Sequence, residues 1–97
     1  MNRRIVNKIK DYFGSKPVEK AWIFGSFSRG EEKANSDIDI LVEFTPNTRI
    51  GMLYFRMISD LELLCGRKID LVENGMLHSD VCSSVKEDSI LIYERGN

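Results

Sequence analysis

Residues 37–44 alternate between two kinds of side chain, and this pattern constrains the fold more than any other part of the sequence. Apolar residues occupy one set of alternate positions, namely Ile38, Ile40, Val42 and Phe44. The positions between them hold Asp37, Asp39, Leu41 and Glu43. Because successive side chains of a strand point to opposite faces, an alternation of period two predicts a half-buried β-strand. We therefore expect a sheet with one face in a hydrophobic core and a second, acidic face.

The remaining hydrophobic patterns predict helices and strands in alternation along the chain. Helices are predicted over residues 2–13, 52–65 and 76–87, and strands over residues 20–24, 68–72 and 90–93. Gly14 and Gly66 follow the first two helices, at the position where glycine commonly ends a helix. This alternation within 97 residues predicts one domain, residues 1–97, of the α+β (α/β) class. We expect a small mixed β-sheet with helices packed mainly on one face.

The charge and composition exclude several classes of function. The formal net charge is −1 and the sequence pI is about 5.8, so no direct nucleic-acid binding is expected. A membrane-spanning helix needs about 20 consecutive apolar residues, and the sequence contains no such run. Cys65 and Cys82 lack CxxC spacing, which favours buried free thiols over a metal or redox site. We expect a cytoplasmic protein.

Asp37 and Asp39 share the acidic face of the predicted strand. The strand rise separates them by about 6.6 Å, where two carboxylates repel by roughly 2–3 kcal/mol at an effective dielectric constant near 20. A divalent cation between the carboxylates removes this repulsion, and oxygen-only ligands favour magnesium or manganese over zinc. The alternative is that both residues lie on an exposed face near a sheet edge, where charge deters aggregation.

Asp70 repeats this pattern in residues 68–72, where its side chain opposes its two apolar neighbours. If this strand pairs beside residues 37–44, Asp70 joins the two other aspartates on the acidic face. Three carboxylates can hold two metal ions about 3.5–4 Å apart, the arrangement used in phosphoryl and nucleotidyl transfer. Alternatively, Asp70 forms a surface ion pair with Arg67 or Lys68.

Gly25 and Ser26 follow the predicted strand at residues 20–24 and can bind a polyphosphate. Glycine lets the backbone approach a phosphate closely, and Ser26 adds a hydroxyl donor. Arg29, three residues later, can neutralise the charge that develops on a triphosphate. Taken alone, Gly-Ser is more typical of a turn, and Arg29 is consistent with a solvated loop.

Gly25-Ser26, ten intervening residues and Asp37-x-Asp39 together resemble the signature of the DNA polymerase β-type nucleotidyltransferase superfamily. More narrowly, GSFSRG followed by SDIDILVEF is similar to the minimal nucleotidyltransferases, the MNT antitoxins encoded beside HEPN-domain toxins. The resemblance extends from residue 21 to residue 72 and implies a nucleotidyltransferase-like fold. Arg29 falls in the Arg-Gly pair of the family, which implies a contact with the triphosphate.

The resemblance also implies roles for the other candidate residues. Gly25 and Ser26 would bind the nucleotide phosphates, Asp37 and Asp39 would be metal ligands, and Asp70 would be the third carboxylate, near the attacking hydroxyl. The implied cofactors are two Mg²⁺ ions, for which Mn²⁺ can substitute, and ATP as the nucleotide donor. The implied acceptor is a tyrosine hydroxyl of a HEPN-type toxin, so that the chain would act as an antitoxin.

Two other functions stay open on the sequence alone. One is a non-enzymatic antitoxin that neutralises its partner by stoichiometric binding and keeps the motif for nucleotide binding or structure. The other is a small-molecule nucleotidyltransferase of the antibiotic-modifying kind. The sequence likewise leaves open whether the chain works as a homo-oligomer or a hetero-oligomer.

Overall fold

A four-stranded sheet and two helices make up the part of the chain that the computed structural model describes, residues 3–25, 37–73 and 89–96. The helices are α1 (Arg3–Phe13) and α2 (Leu53–Cys65), and the strands are β1 (Val18–Phe24), β2 (Ile38–Phe44), β3 (Ile69–Glu73) and β4 (Ile90–Glu94). Each of these elements overlaps a helix or strand that the sequence predicts. The predicted helix over residues 76–87 lies outside the described residues.

The strands of the described sheet lie in the order β3-β2-β1-β4, so that β3 and β4 form its two edges. β1 pairs antiparallel with both β2 and β4, whereas β2 pairs parallel with β3. A parallel pair needs a crossover connection, and α2 provides it between β2 and β3. The prediction of a small mixed sheet is confirmed.

Both helices pack on one face of the sheet, to which every strand contributes apolar side chains. The strand residues of this core are Val18, Ala21, Ile23, Ile38, Ile40, Val42, Ile69, Leu71 and Ile92. From the helices, Ile9 and Phe13 of α1 and Met57 and Leu61 of α2 are fully buried among them. Helices therefore cover one face, as predicted, and Asp39, Glu43 and Asp70 lie on the other.

Glycine ends both helices, as the sequence predicts. Gly14 donates its N–H to the carbonyls of Lys10 and Asp11, at 3.2 Å each. Gly66 has φ 67°, in the left-handed region that favours glycine, and donates its N–H to the carbonyl of Glu62 at 2.8 Å. No helix among the described residues is long and apolar enough to cross a membrane.

β1 begins two residues earlier than the sequence predicts, at Val18 instead of residue 20. Val18 is fully buried and pairs with Phe44, the last residue of β2. The register shifts between Val18 and Lys20, so the pairing is irregular just before the short apolar run from which the sequence predicts this strand.

Candidate active site

Asp39 lies at the centre of the candidate site because its strand is paired on both sides. It aligns with Asp70 across the parallel pair of β2 and β3, and with Phe24 across the antiparallel pair of β1 and β2. Neighbouring strands are about 4.8 Å apart, and aligned residues point to the same face. The structure therefore brings Asp39 and Asp70 side by side on the face opposite the helices.

Asp37 lies one residue before β2 and is exposed. The N–H of Ile38 donates to the carbonyl of Lys68 at 3.0 Å, which holds this end of β2 against the chain entering β3. Burial raises the pKa of Asp39, and the negative charges of Asp70 and then Asp37 raise it further. The three predicted carboxylates thus interact electrostatically at one end of the sheet.

Gly25 follows β1 directly beside the carboxylate of Asp39. Its φ of 75° lies in the left-handed region that favours glycine. A Cβ atom at this position would lie 2.5 Å from Oδ2 of Asp39, which is closer than real Cβ atoms approach a neighbour. The missing side chain at residue 25 therefore leaves the space that the Asp39 carboxylate occupies.

Ser26 and Arg29, the other predicted phosphate-binding residues, lie outside the residues that the structure describes. Their predicted roles stay predictions. The described part shows that β1 ends level with Asp39, so the chain passes Gly25 at the acidic end of the sheet.

The donor set suits a hard divalent cation, since all three predicted ligands are carboxylates. Within residues 3–25, 37–73 and 89–96, no three His, Cys, Asp or Glu side chains lie close enough together to hold an ion as a group. Magnesium commonly takes one or two carboxylates and completes its octahedron with water and substrate phosphate oxygens. The pairing of Asp39 with Asp70 fits that mode, and a cation would offset both causes of the raised pKa of Asp39, its burial and the negative charges of Asp70 and Asp37.

Two side chains of α2 contact the backbone on either side of Asp70, and neither contact was predicted. The phenol of Tyr54 donates a hydrogen bond to the carbonyl of Leu71. Oε2 of Glu62 accepts a hydrogen bond from the N–H of Ile69 at 3.2 Å. The helical periodicity marks Tyr54 only as a core or interface residue, and no local pattern connects α2 with the backbone of β3.

The face that carries Asp39 changes from acidic to apolar within two residues along β2. Leu41 lies on the same face, two residues further along β2, yet it is fully buried. It aligns with Trp22 of β1 and Val72 of β3, which form an apolar row beside the acidic one. This apolar row therefore separates Asp39 and Asp70, beside Gly25, from Glu43, which lies on the same face at the other end of β2.

The sequence is similar to nucleotidyltransferases and, among them, to protein adenylyltransferases. A family model described as polymerase beta, nucleotidyltransferase matches residues 7–97. A candidate protein adenylyltransferase of Methanocaldococcus jannaschii is 37% identical over 93 residues, covering 93% of each chain. The protein adenylyltransferase MntA of Thermococcus cleftensis is 32% identical over 85 residues, covering 88% of this chain and 82% of that protein.

A solved complex extends the likeness to three dimensions. It contains a tri-AMPylated HEPN toxin of Shewanella oneidensis together with an MNT antitoxin. The match has a TM-score of 0.73 at 21% identity and covers 97% of this chain and 73% of the matched one. At that identity the likeness shows the fold, which agrees with the nucleotidyltransferase-like fold predicted from the sequence.

Proposed function

Since the chain belongs to the polymerase beta nucleotidyltransferase family and is a nucleotidyltransferase, we propose that it transfers AMP from ATP to a hydroxyl of a partner protein. The proposed partner is a HEPN-type toxin, and the proposed acceptor is a tyrosine hydroxyl of that toxin. The modification would silence the toxin, and the chain would thus act as an antitoxin.

One observation carries this proposal: Asp39 is aligned with Asp70 on the neighbouring strand and lies against Gly25. Carboxylates are unfavourable beside one another in a sheet, and the pKa of Asp39 is raised first by burial and then by the charges of Asp70 and Asp37. Two neighbouring carboxylates can bind a divalent cation, and a glycine beside them, having no side chain, lets a polyphosphate approach the backbone.

The proposed reaction breaks one phosphoanhydride bond of ATP and forms one phosphate ester with the acceptor hydroxyl. The acceptor oxygen attacks the α-phosphorus of ATP in line, the bond from that phosphorus to the bridging oxygen breaks, and pyrophosphate leaves. The carboxylate of Asp70 takes the proton of the acceptor hydroxyl. Gly25 lets the triphosphate lie close to the backbone, with Ser26 and Arg29 as further proposed phosphate ligands. Positioning and neutralisation of charge supply most of the acceleration.

Asp37, Asp39 and Asp70 are the proposed ligands of two Mg²⁺ ions, so that each ion would take one or two of these carboxylates. When bound, Mg²⁺ offsets the charge of the triphosphate and of the departing pyrophosphate. Because the three carboxylates otherwise repel one another, Mg²⁺ with ATP should also raise the melting temperature of the protein.

The names of two similar proteins support the proposed partner. The T. cleftensis relative is named as a protein adenylyltransferase, and the S. oneidensis complex pairs an AMPylated HEPN toxin with an MNT antitoxin. We further propose that residues 1–97 act as one nucleotidyltransferase domain in the cytoplasm.

Incubation of the protein with its HEPN-type partner, Mg²⁺ and ATP labelled at the α-phosphate tests the proposal. We expect label on a tyrosine of the partner, identified by mass spectrometry, and loss of labelling when Mg²⁺ is chelated. Asp39→Asn should lower the rate at least about 100-fold, equivalent to about 2.7 kcal/mol in the barrier. Glu43→Gln is the matched control, because Glu43 is a carboxylate on the same face of β2 at its other end.

The same experiment separates the enzyme from a stoichiometric binder. If Asp39→Asn still neutralises the toxin and no label reaches the partner with the wild-type protein, inhibition by binding replaces the proposed transfer. If label appears on a small hydroxyl compound without any protein partner, the acceptor is of a different class.

A further inference from the structure

β3 carries Asp70 and is an edge strand of the described sheet, in which β2 is its one neighbouring strand. In an extended strand, the N–H and C=O groups of alternate residues point to the same edge. The backbone groups of Ile69 and Leu71 therefore point to one edge, and those of Asp70 to the other. Within residues 3–25, 37–73 and 89–96, the edge of this five-residue strand that faces away from β2 is held by contacts other than strand pairing.

Two side chains of α2 bind the alternate backbone groups that flank Asp70. Tyr54 donates its phenolic hydrogen to the carbonyl of Leu71, the residue after Asp70. Glu62 accepts the N–H of Ile69, the residue before Asp70, at 3.2 Å. The two contacts therefore bracket the carboxylate-bearing residue, and both belong to the same helix.

α2 is a firm support for both contacts. Between Tyr54 and Glu62, the helix buries Met57 and Leu61 completely in the core. Burial raises the pKa of Tyr54, and the charge of Asp70 raises it further, so the phenol stays protonated at neutral pH and can donate.

We propose that Tyr54 and Glu62 clamp the backbone of β3 and so position Asp70 beside Asp39 for nucleotidyl transfer. This inference rests on the proposed function. Both are positioning residues, because they act through the backbone and not on substrate atoms. Displacement of a reacting group by about 1 Å can lower a rate 100-fold, so a clamp on an edge strand matters for the reaction.

Tyr54→Phe tests the clamp by removing one hydroxyl and keeping the ring. Tyr12→Phe is the matched control, because the phenol of Tyr12 also donates a hydrogen bond, to Oδ2 of Asp60 of α2 at 2.7 Å. Tyr54→Phe should lower kcat about ten-fold and raise the Mg²⁺ concentration for half-maximal rate, as is common for residues behind a metal ligand. The KM for ATP should change little, and Tyr12→Phe should leave all three quantities unchanged.

Glu62 tests the other end of the clamp. Glu62→Ala removes the acceptor for the Ile69 N–H and should lower kcat in the same way as Tyr54→Phe. Glu62→Gln keeps an acceptor oxygen without the charge and should restore kcat to near the wild-type value. If glutamine and alanine lower kcat equally, the hydrogen bond to Ile69 does not position Asp70.

The clamp is overturned if Tyr54→Phe lowers kcat no more than Tyr12→Phe at a temperature where both variants are folded. If the wild-type protein transfers no AMP at all, the proposed function fails, and the clamp is then measured by binding. In that case, Mg²⁺-dependent binding of α,β-methylene-ATP that is about ten-fold weaker in Tyr54→Phe supports the clamp. Equal binding by the two tyrosine variants overturns it.

Discussion

The two faces of β2 differ in burial and charge, although their residues alternate along one short strand. On the helix side, Ile38, Ile40 and Val42 are fully buried. On the other side, the pKa of Asp39 is raised by burial and by the charges of neighbouring carboxylates. One face therefore stabilises the fold through packing, while the other holds charge at a cost in stability.

This difference implies that stability and chemistry can be altered separately in this domain. The boundary between the two is sharp, since Leu41 is fully buried on the same face as Asp39. Only the end of that face beside Gly25 brings the described carboxylates together. Substitutions on the helix side should lower stability, and substitutions at the acidic end should lower transfer.

The largest expected effect on stability comes from the helix side. Ile40→Ala should lower the free energy of unfolding by about 2–5 kcal/mol, because it leaves a cavity in the centre of the core. The transfer rate per folded molecule should change little. Urea denaturation measures the first quantity, and a labelling assay at low temperature measures the second.

Leu63→Ala is the control for Ile40→Ala, because Leu63 is 85% exposed on α2. Its free energy of unfolding should change by less than about 0.5 kcal/mol. If Ile40→Ala were no more destabilising than Leu63→Ala, the packing of the helix side would not be the main source of stability.

Alanine substitutions at two glycines should distinguish the effect of backbone strain on stability from the effect of lost space in the candidate site on AMP transfer. Gly25 and Gly66 have φ values of 75° and 67°, so alanine at either position should cost about 1–2 kcal/mol of stability. Of these two positions, only residue 25 would bring the new Cβ against a neighbour, at 2.5 Å from Oδ2 of Asp39, whereas no atom of the described residues lies within 4 Å at residue 66. Gly25→Ala should therefore abolish most AMP transfer and Gly66→Ala none, as initial rates would show.

A comparable loss of transfer in both glycine variants would contradict this assignment. It would mean that the rate responds to stability in general and not to the space beside Asp39.

The smallest expected effect is the pH dependence of stability, because Asp39 is in part exposed to solvent. Its pKa in the folded state lies above the value of 3.8 taken for the unfolded chain. The resulting loss of stability is absent below the unfolded pKa and develops as the pH rises through the folded pKa. Without metal, Asp39→Asn should therefore be more stable than wild type at neutral pH, and the difference should disappear in acid.

Thermal melts of both proteins across this pH range measure the difference. Addition of Mg²⁺ with ATP should reverse it by stabilising the wild-type protein more. If Asp39→Asn is less stable than wild type at neutral pH in the absence of metal, then the charge of Asp39 does not destabilise the folded protein.

Much of this fold follows from local patterns in the sequence. The alternation over residues 37–44 predicts β2 and both of its faces, and the helical spacing with Gly66 predicts α2 and its end. The sequence predicts β1 only from the short apolar run at residues 20–24, and its earlier start at Val18 depends on pairing with β2 where the register is irregular. Local periodicity is sufficient where a strand is regular and fails where its register shifts.

The candidate site follows from the sequence only in part. Asp39 and Asp70 can be chosen from their strand patterns, but their alignment depends on the pairing of β2 with β3, which no local pattern determines. The contacts of Tyr54 and Glu62 with β3 depend further on how α2 packs in the crossover between those strands. Hydrogen bonds between side chains and the backbone of another element arise from tertiary packing, and sequence periodicity does not reveal them.

The most direct test of the account is the rate at which Asp70→Asn transfers labelled AMP to the HEPN-type partner in the presence of Mg²⁺. We predict a rate at least about 100-fold below wild type, with the melting temperature unchanged or raised because a like charge beside Asp39 has been removed. Transfer at the wild-type rate would contradict the central claim that carboxylates from two neighbouring strands act together in this site.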